Sequence, residues 1–116
     1  MSDVDWESWL LEDAGDPIIE KKADQGPDTL TPAEQLTYCL WVADYGMRNA
    51  GDLETAADLY PPFKMEAAEI AARLGLSKTS EAFNLSDDDL QQTYFDRFDG
   101  MCAEISEALG VPPRAN

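Results

Sequence analysis

The sequence predicts an all-α fold: a compact bundle of five or six helices with the longest helix C-terminal. Three observations carry this reading. Apolar residues recur at helical spacing over most of the chain, start and stop residues bracket those stretches, and strand punctuation is nearly absent.

In chain order, Ser2 with Trp6, Trp9 and Leu10 suggests a short amphipathic helix, and Asp16-Pro17 starts another through Ile18, Ile19 and Ala23. Gln25 to Leu30 reads as a loop, so residues 1–30 hold short helices and a connection. Thr31-Pro32-Ala33-Glu34 is an N-terminus signature, with Thr31 as cap, Pro32 in the first turn and Glu34 placed to close a capping box. Leu36, Cys39, Leu40, Ala43 and Met47 then share one face, and Ala50-Gly51 supplies the stop, giving a helix over 32–49. A further helix starts near Asp52, with Leu53, Ala56, Ala57 and Tyr60 inward, and Pro61-Pro62 breaks it. Pro62 sits early in the next, where Phe63, Ala67, Ile70, Ala71 and Leu74 align before Gly75. Lys78 to Phe83 adds one or two turns. Ser86 caps the last helix, and Asp87, Asp88 and Asp89 fill a first turn where the helix dipole favours negative charge. Leu90, Tyr94, Phe98, Met101, Ile105 and Leu109 form its apolar stripe, ended by Gly110 and Pro112-Pro113. Gly100 inside that helix marks a kink or a close contact.

A chain of 116 residues is one domain by length, and 44% apolar residues supply a core. The net charge is −16, from 24 Asp and Glu against 8 Lys and Arg, with no histidine. Small domains carry a net charge of about 2–8 in magnitude, so this excess imposes self-repulsion that asks for a reason in what the protein binds. Its sign excludes direct nucleic-acid binding, which needs Lys and Arg to neutralise phosphates. Anionic lipid is repelled on the same grounds, and no run approaches the roughly 20 apolar residues of a membrane span. The start Met1-Ser2-Asp3-Val4-Asp5 is acidic where a secretory signal is basic, so the expected location is cytoplasmic.

Catalytic chemistry is thin. Without histidine there is no imidazole base and no histidine-bearing metal constellation, and no glycine-rich phosphate loop appears. Asp87-Asp88-Asp89 lacks the spaced ligands, central glycine and terminal Glu of a calcium loop, so capping explains it. Cys39 and Cys102 stand 63 residues apart on apolar faces and read as free, buried thiols. We therefore expect no enzyme, no cofactor and no metal.

The placement of charge says more than its total. Residues 1–20 carry seven acids and no base, residues 81–116 carry eight acids against Arg97 and Arg114, and residues 21–80 carry nine acids and six bases. On the last helix, Asp88, Asp89, Asp96, Asp99, Glu104 and Glu107 fall on the side away from the apolar stripe. These six carboxylates are the candidate partner-binding face. Asp3, Asp5, Glu7, Glu12 and Asp13 form a candidate second acidic patch. A rigid row of carboxylates is what a surface built for phosphate accepts, and it steers association by long-range attraction. A solvated helix face, or a surface adapted to a salty cytosol, would also be acidic. Trp6, Trp9 and Trp41 offer anchors for a partner, or core residues; Trp41 lies one position off the Leu36–Met47 face.

Leu30-Thr31-Pro32-Ala33-Glu34, the Glu66-Ala67-Ala68-Glu69-Ile70 to Leu74-Gly75 segment and Tyr94-Phe95-Asp96-Arg97-Phe98 resemble the small helical DNA-mimic-protein family of the DMP type, over roughly residues 30–109. That resemblance implies an all-α acidic domain that binds a basic DNA-binding protein in place of its DNA. The family's Asn-Gly-Gly-Phe-like segment is replaced here by Asp44-Tyr45-Gly46-Met47, so the role of that loop is not carried over. The leading expectation is an acidic inhibitor of a basic, DNA-binding protein, acting as a monomer or small homodimer. An immunity or antitoxin-like protein that neutralises a cognate toxin through an apolar and acidic patch is the alternative.

Overall fold

The computed structural model describes residues 4–113, and capping chemistry sets most of its helix boundaries. Asp5 opens the first turn, α1 (Trp6–Ser8), by accepting from the Ser8 N–H at 3.1 Å. The chain then stays helical through a π-helical segment, Trp9–Gly15, directly into α2 (Asp16–Gln25). Two separate short helices were expected here, and one continuous helical run is found. The widened π turn allows it, because Gly15 has no Cβ to collide with the Leu10 carbonyl oxygen five residues earlier. The expected Gln25–Leu30 loop starts one residue later, because Gln25 closes α2; residues 26–30 form the connection, with a single 3₁₀ turn, Pro27–Thr29.

Thr31 opens α3 (Pro32–Asn49) with a full capping box: its hydroxyl accepts from the Glu34 N–H at 3.2 Å, and the Glu34 carboxylate accepts from the Thr31 N–H at 2.9 Å. Asp52 caps α4 (Leu53–Leu59) by accepting from the Thr55 N–H at 2.8 Å. Pro61 and Pro62 then break the chain before α5 (Phe63–Leu74). A short α6 (Ser77–Asn84) follows, and Ser86 caps α7 (Asp87–Leu109), whose Asp89 N–H donates to the Ser86 hydroxyl at 3.2 Å. α7 runs unbroken through Gly100. No strand occurs among the described residues, and none of their helices is long and apolar enough to cross a membrane.

α3 is the central element, packed against α4, α5, α7 and the π segment, while α6 bridges α5 and α7. One apolar cluster fills the interior and draws on every helix except α1 and α2, whose Ile18 is buried apart from it. Leu90, Tyr94, Phe98, Met101 and Ile105 of the α7 stripe are buried in it, and Leu109 is half-buried at its edge. Each such side chain contributes about 1.5–3 kcal/mol on burial, which is what seats α7 against the bundle. Gly46 lets α3 and α4 cross closely: a Cβ there would sit 2.7 Å from the Asp52 carbonyl oxygen and 2.8 Å from the Ala56 nitrogen. The radius of gyration, 13.1 Å, matches the ~13 Å of a folded chain this long, so no described segment extends away from the bundle.

Trp9 is fully buried, and its indole N–H donates to the Val111 carbonyl at 2.8 Å. That removes Trp9 from the candidate anchors, because the π segment turns it inward beneath Trp6. Trp41 is half-buried and stacked between Tyr38 and Tyr45, with both centroid distances at 6.1 Å. Both cysteines are free and buried, and burial pushes the Cys39 thiol up to about 12.

Candidate acidic interface

The outer face of α7 is the main candidate site. Asp88, Asp89, Asp96, Asp99 and Glu107 are all exposed. At 100° per residue they occupy about 100° of arc, and their span is roughly 28 Å at 1.5 Å per residue. Gln92 and Ala103 lie between them within that arc, and no base does. Arg97 stands on the opposite flank, turned toward α6, where it pairs with Glu81 at 3.7 Å and donates to the Thr93 hydroxyl at 3.0 Å. Lys78 comes nearest from the α6 side. Its side chain passes Gly100 on the border of the arc, 3.3 Å from where a Cβ would be.

Glu104 belongs to a different structure. Its carboxylate accepts from the Lys78 N–H at 3.0 Å, the Thr79 N–H at 2.8 Å and the Thr79 hydroxyl at 2.8 Å. It therefore caps α6 from α7, because Leu76 at the α6 N-cap has no side-chain oxygen to do so. Its place on the helix wheel, about 60° beyond the edge of the arc and beside Arg97 on the flank that faces α6, explains the difference. The exposed row on α7 is therefore five carboxylates.

The N-terminal patch is more divided. Asp3 lies outside the described residues. Asp5 is held below the usual carboxylate range by the Ser8 backbone and hydroxyl bonds that make it a cap. Glu7 reaches across to Arg48 at 3.5 Å. Glu12 is exposed, whereas Asp13 is half-buried and faces a hollow between α2 and the end of α7. Trp6, Ala103, Glu107 and Gly110 line one cleft, so α1 abuts the C-terminal end of the α7 row. Exposed acids also stand on α2, α4 and α5, among them Glu20, Glu54 and Glu69. The α7 arc differs from these in its length and in holding no base.

Among the described residues, the few cations are largely spent inside the molecule. Lys21 pairs with Glu34 at 2.8 Å, Arg48 with Asp44 at 2.9 Å, Lys64 with Asp87 at 3.0 Å and Arg73 with Glu69 at 3.4 Å. Lys22 covers the Tyr38 ring at 3.6 Å from its centroid. The surface field is consequently set by the unpaired carboxylates.

Sequence reasoning missed two polar networks. Asp44 is only 1% exposed, and it accepts from the Tyr94 hydroxyl at 2.8 Å and from Arg48 Nε at 2.9 and 3.0 Å. Burial pushes its carboxyl above the usual range, against the opposing effect of the Tyr94 hydroxyl and Arg48. The i,i+4 spacing of Asp44 and Arg48, at the border of the apolar face, was the available signal. Elsewhere Gln35 and the Tyr60 hydroxyl both donate to Glu66, at 2.7 Å each, and tie α3 to α5. The hollow over Asp44 holds about 190 Å³, below the roughly 300–1,000 Å³ of small-molecule sites, and its carboxylate is already engaged. Asp44 joins α3 to α7, which is a structural task. Among the described residues no group of three or more side chains is arranged to hold a metal ion. No family model, curated protein or solved structure matches the chain.

Proposed function

We propose that this is an acidic binding protein that engages a basic protein surface, of the kind DNA-binding proteins present, through the outer face of α7. The observation that supports it is the row of Asp88, Asp89, Asp96, Asp99 and Glu107, exposed on one buried-anchored helix with no base inside its arc. The row is sparser than DNA, about one charge per 6 Å along the helix axis against one per ~1.7 Å of duplex. Its five carboxylates nevertheless approach the roughly 6–10 phosphates that a DNA-binding surface neutralises. Charge mimicry here is a matter of reach and sign, with a rigid helix in place of a strand backbone. The resemblance to DNA-mimic proteins agrees with this mode of action.

Retention of purified basic DNA-binding proteins on the immobilised protein, at low and high ionic strength, tests the reading. Capture should occur at low salt, fade steeply as salt rises, and yield to added duplex DNA. The triple substitution D88N/D96N/D99N should weaken it at least tenfold, and Lys78→Gln should strengthen it. If no basic protein is captured at low salt, or the triple variant captures as well as wild type, α7 is not the binding face.

A further inference from the structure

A cavity of about 1,150 Å³ forms a groove where α4, α5, the end of α6 and the start of α7 meet. Its floor is apolar, built from the buried Leu53, Phe63 and Phe83. One wall is a stripe on α5: Met65, Ala68 and Ala72, at i, i+3 and i+7. Met65 is 70% exposed, the most exposed large apolar side chain described. Met65 and Ala72 are exposed, and Ala68 between them is half-buried against the core. Five carboxylates, Asp52, Glu54, Glu69, Asp87 and Asp88, surround the floor against a single lysine, Lys64. Lys64 is itself bound to Asp87 and to the Leu85 carbonyl, and Glu69 pairs with Arg73, so Asp52, Glu54 and Asp88 carry the unbalanced negative charge of the rim.

We infer that this groove is the docking site for a basic amphipathic α-helix of a partner protein. Its volume exceeds the roughly 300–1,000 Å³ typical of small-molecule sites, and its lining is a strip of apolar surface inside an acidic frame. A helix with apolar residues at i, i+3, i+4 and i+7, flanked by Lys and Arg, meets both features at once. Alanines at 57, 68 and 72 let a helix backbone approach closely. Met65 supplies a flexible, polarisable contact that adapts to the side chain it meets. The complementary charges lie at the rim, where they steer and orient, while the apolar strip fixes register. Asp88 belongs both to this rim and to the α7 row, so the two surfaces are continuous at the N-terminal end of α7. The inference shares with the proposed function only the basic character of the partner, and it stands if Asp96 and Asp99 contribute nothing.

The probe is a fluorescently labelled 16-residue peptide of Leu, Lys and Arg with Leu at i, i+3, i+4, i+7 and i+11. A scrambled peptide of identical composition and charge is its control. Anisotropy titrations are read with wild type, Ala72→Arg, Met65→Asp and D96N/D99N. The patterned peptide should bind at least tenfold more tightly than the scrambled one and keep that ratio when salt is raised. Ala72→Arg and Met65→Asp, both on the exposed face of α5, should each reduce affinity about tenfold, with unchanged thermal melting showing that the fold is intact. D96N/D99N should change the patterned peptide's affinity less than threefold. Equal binding of the two peptides, or full binding by Ala72→Arg, overturns the inference. A loss with D96N/D99N alone overturns it too and leaves the α7 row as the binding surface. If instead sedimentation shows the unliganded protein to be a dimer that Ala72→Arg splits, the groove belongs to a second copy and the inference is wrong.

Discussion

Replacing Glu104 should cost stability, whereas replacing its neighbours on α7 should not. Glu104→Ala deletes the acceptor of two α6 backbone N–H groups and of the Thr79 hydroxyl, which is fully buried. Loss of a helix N-cap costs about 0.5–2 kcal/mol, and loss of a negative charge at a helix N-terminus about 0.3–1. A buried hydroxyl left without its partner adds about 1–3 kcal/mol. A loss near 3 kcal/mol is expected, a drop of roughly 12 °C in Tm at ~4 °C per kcal/mol for a chain of this size. Glu104→Gln keeps a carbonyl oxygen for both Thr79 donors and turns an amide N–H₂ toward Lys78, so it should lose only about 1 kcal/mol. Asp99→Asn, at an exposed position, should stay within about 0.5 kcal/mol of wild type. Urea titrations followed by far-UV circular dichroism give all three values. If Glu104→Ala stays within 0.5 kcal/mol (roughly the scatter of neutral surface changes), or Asp99→Asn falls as far as Glu104→Ala, then Glu104 is an ordinary surface acid and the capping argument is wrong.

Gly46 and Gly100, both inside α-helices, should respond to alanine in opposite directions. Gly46→Ala drives a Cβ into α4 backbone atoms and should lower stability by about 1–3 kcal/mol, whereas Gly100→Ala meets only the flexible Lys78 side chain and should raise it by up to about 1. Thermal melts of the pair check this, and a stabilised Gly46→Ala would refute the close crossing. At the buried network, Asp44→Ala strands the Tyr94 hydroxyl, while Arg48 keeps solvent and Glu7, and should cost about 1–3 kcal/mol. Tyr94→Phe removes one bond to a charged acceptor and should cost about 1.5–3 kcal/mol, and double-mutant analysis should show strong coupling between the two sites. The pH dependence follows from the direction of each shift. The Asp44 carboxyl is raised in the folded state, so its contribution is full below the ordinary value of 3.8 and is lost as pH rises through the folded value. Asp5 and Asp52 are lowered, chiefly by the backbone N–H groups they cap, and Glu34 is lowered because Lys21 and Thr31 outweigh its burial. Their contributions are present above the ordinary carboxylate values and lost on acidification. Asp44→Asn keeps the second set and removes the first, so its stability should gain on wild type over an interval that opens near the ordinary value of 3.8 and extends upward from it. A gap that widens against the variant over that interval would contradict the assignment.

The helices were legible because their punctuation is local. Thr31, Asp52 and Ser86 each cap by a bond to a residue three positions on, and that is written in the chain. Angular position was legible as well, which is why Asp88, Asp96 and Asp99 are where helical periodicity puts them. What periodicity cannot show is what stands opposite a given angle. Glu104 and Asp99 are both polar positions on one helix, yet only Glu104 faces an uncapped helix end. Asp44 was hidden for the same reason, since its partner Tyr94 is 50 residues away. The groove was invisible because four elements compose it, and the apolar stripe of α5 is too short to signal a second face by itself. At the N-terminus the error was conformational: Asp16-Pro17 reads as a fresh start, but the helix reaches it already formed through the π turn.

The two buried cysteines give the molecule an intrinsic clock. Alkylation requires a thiolate in contact with reagent, and burial pushes the Cys39 thiol up to about 12 and the Cys102 thiol higher still. A thiol raised this far stays protonated at neutral pH while the core is closed, so labelling waits for an opening event. Cys102 rides on α7 and Cys39 on α3, so their separate labelling rates time how often each helix lifts from the interior. A ligand that grips α7 should slow the first rate more than the second, reporting engagement without any added tag.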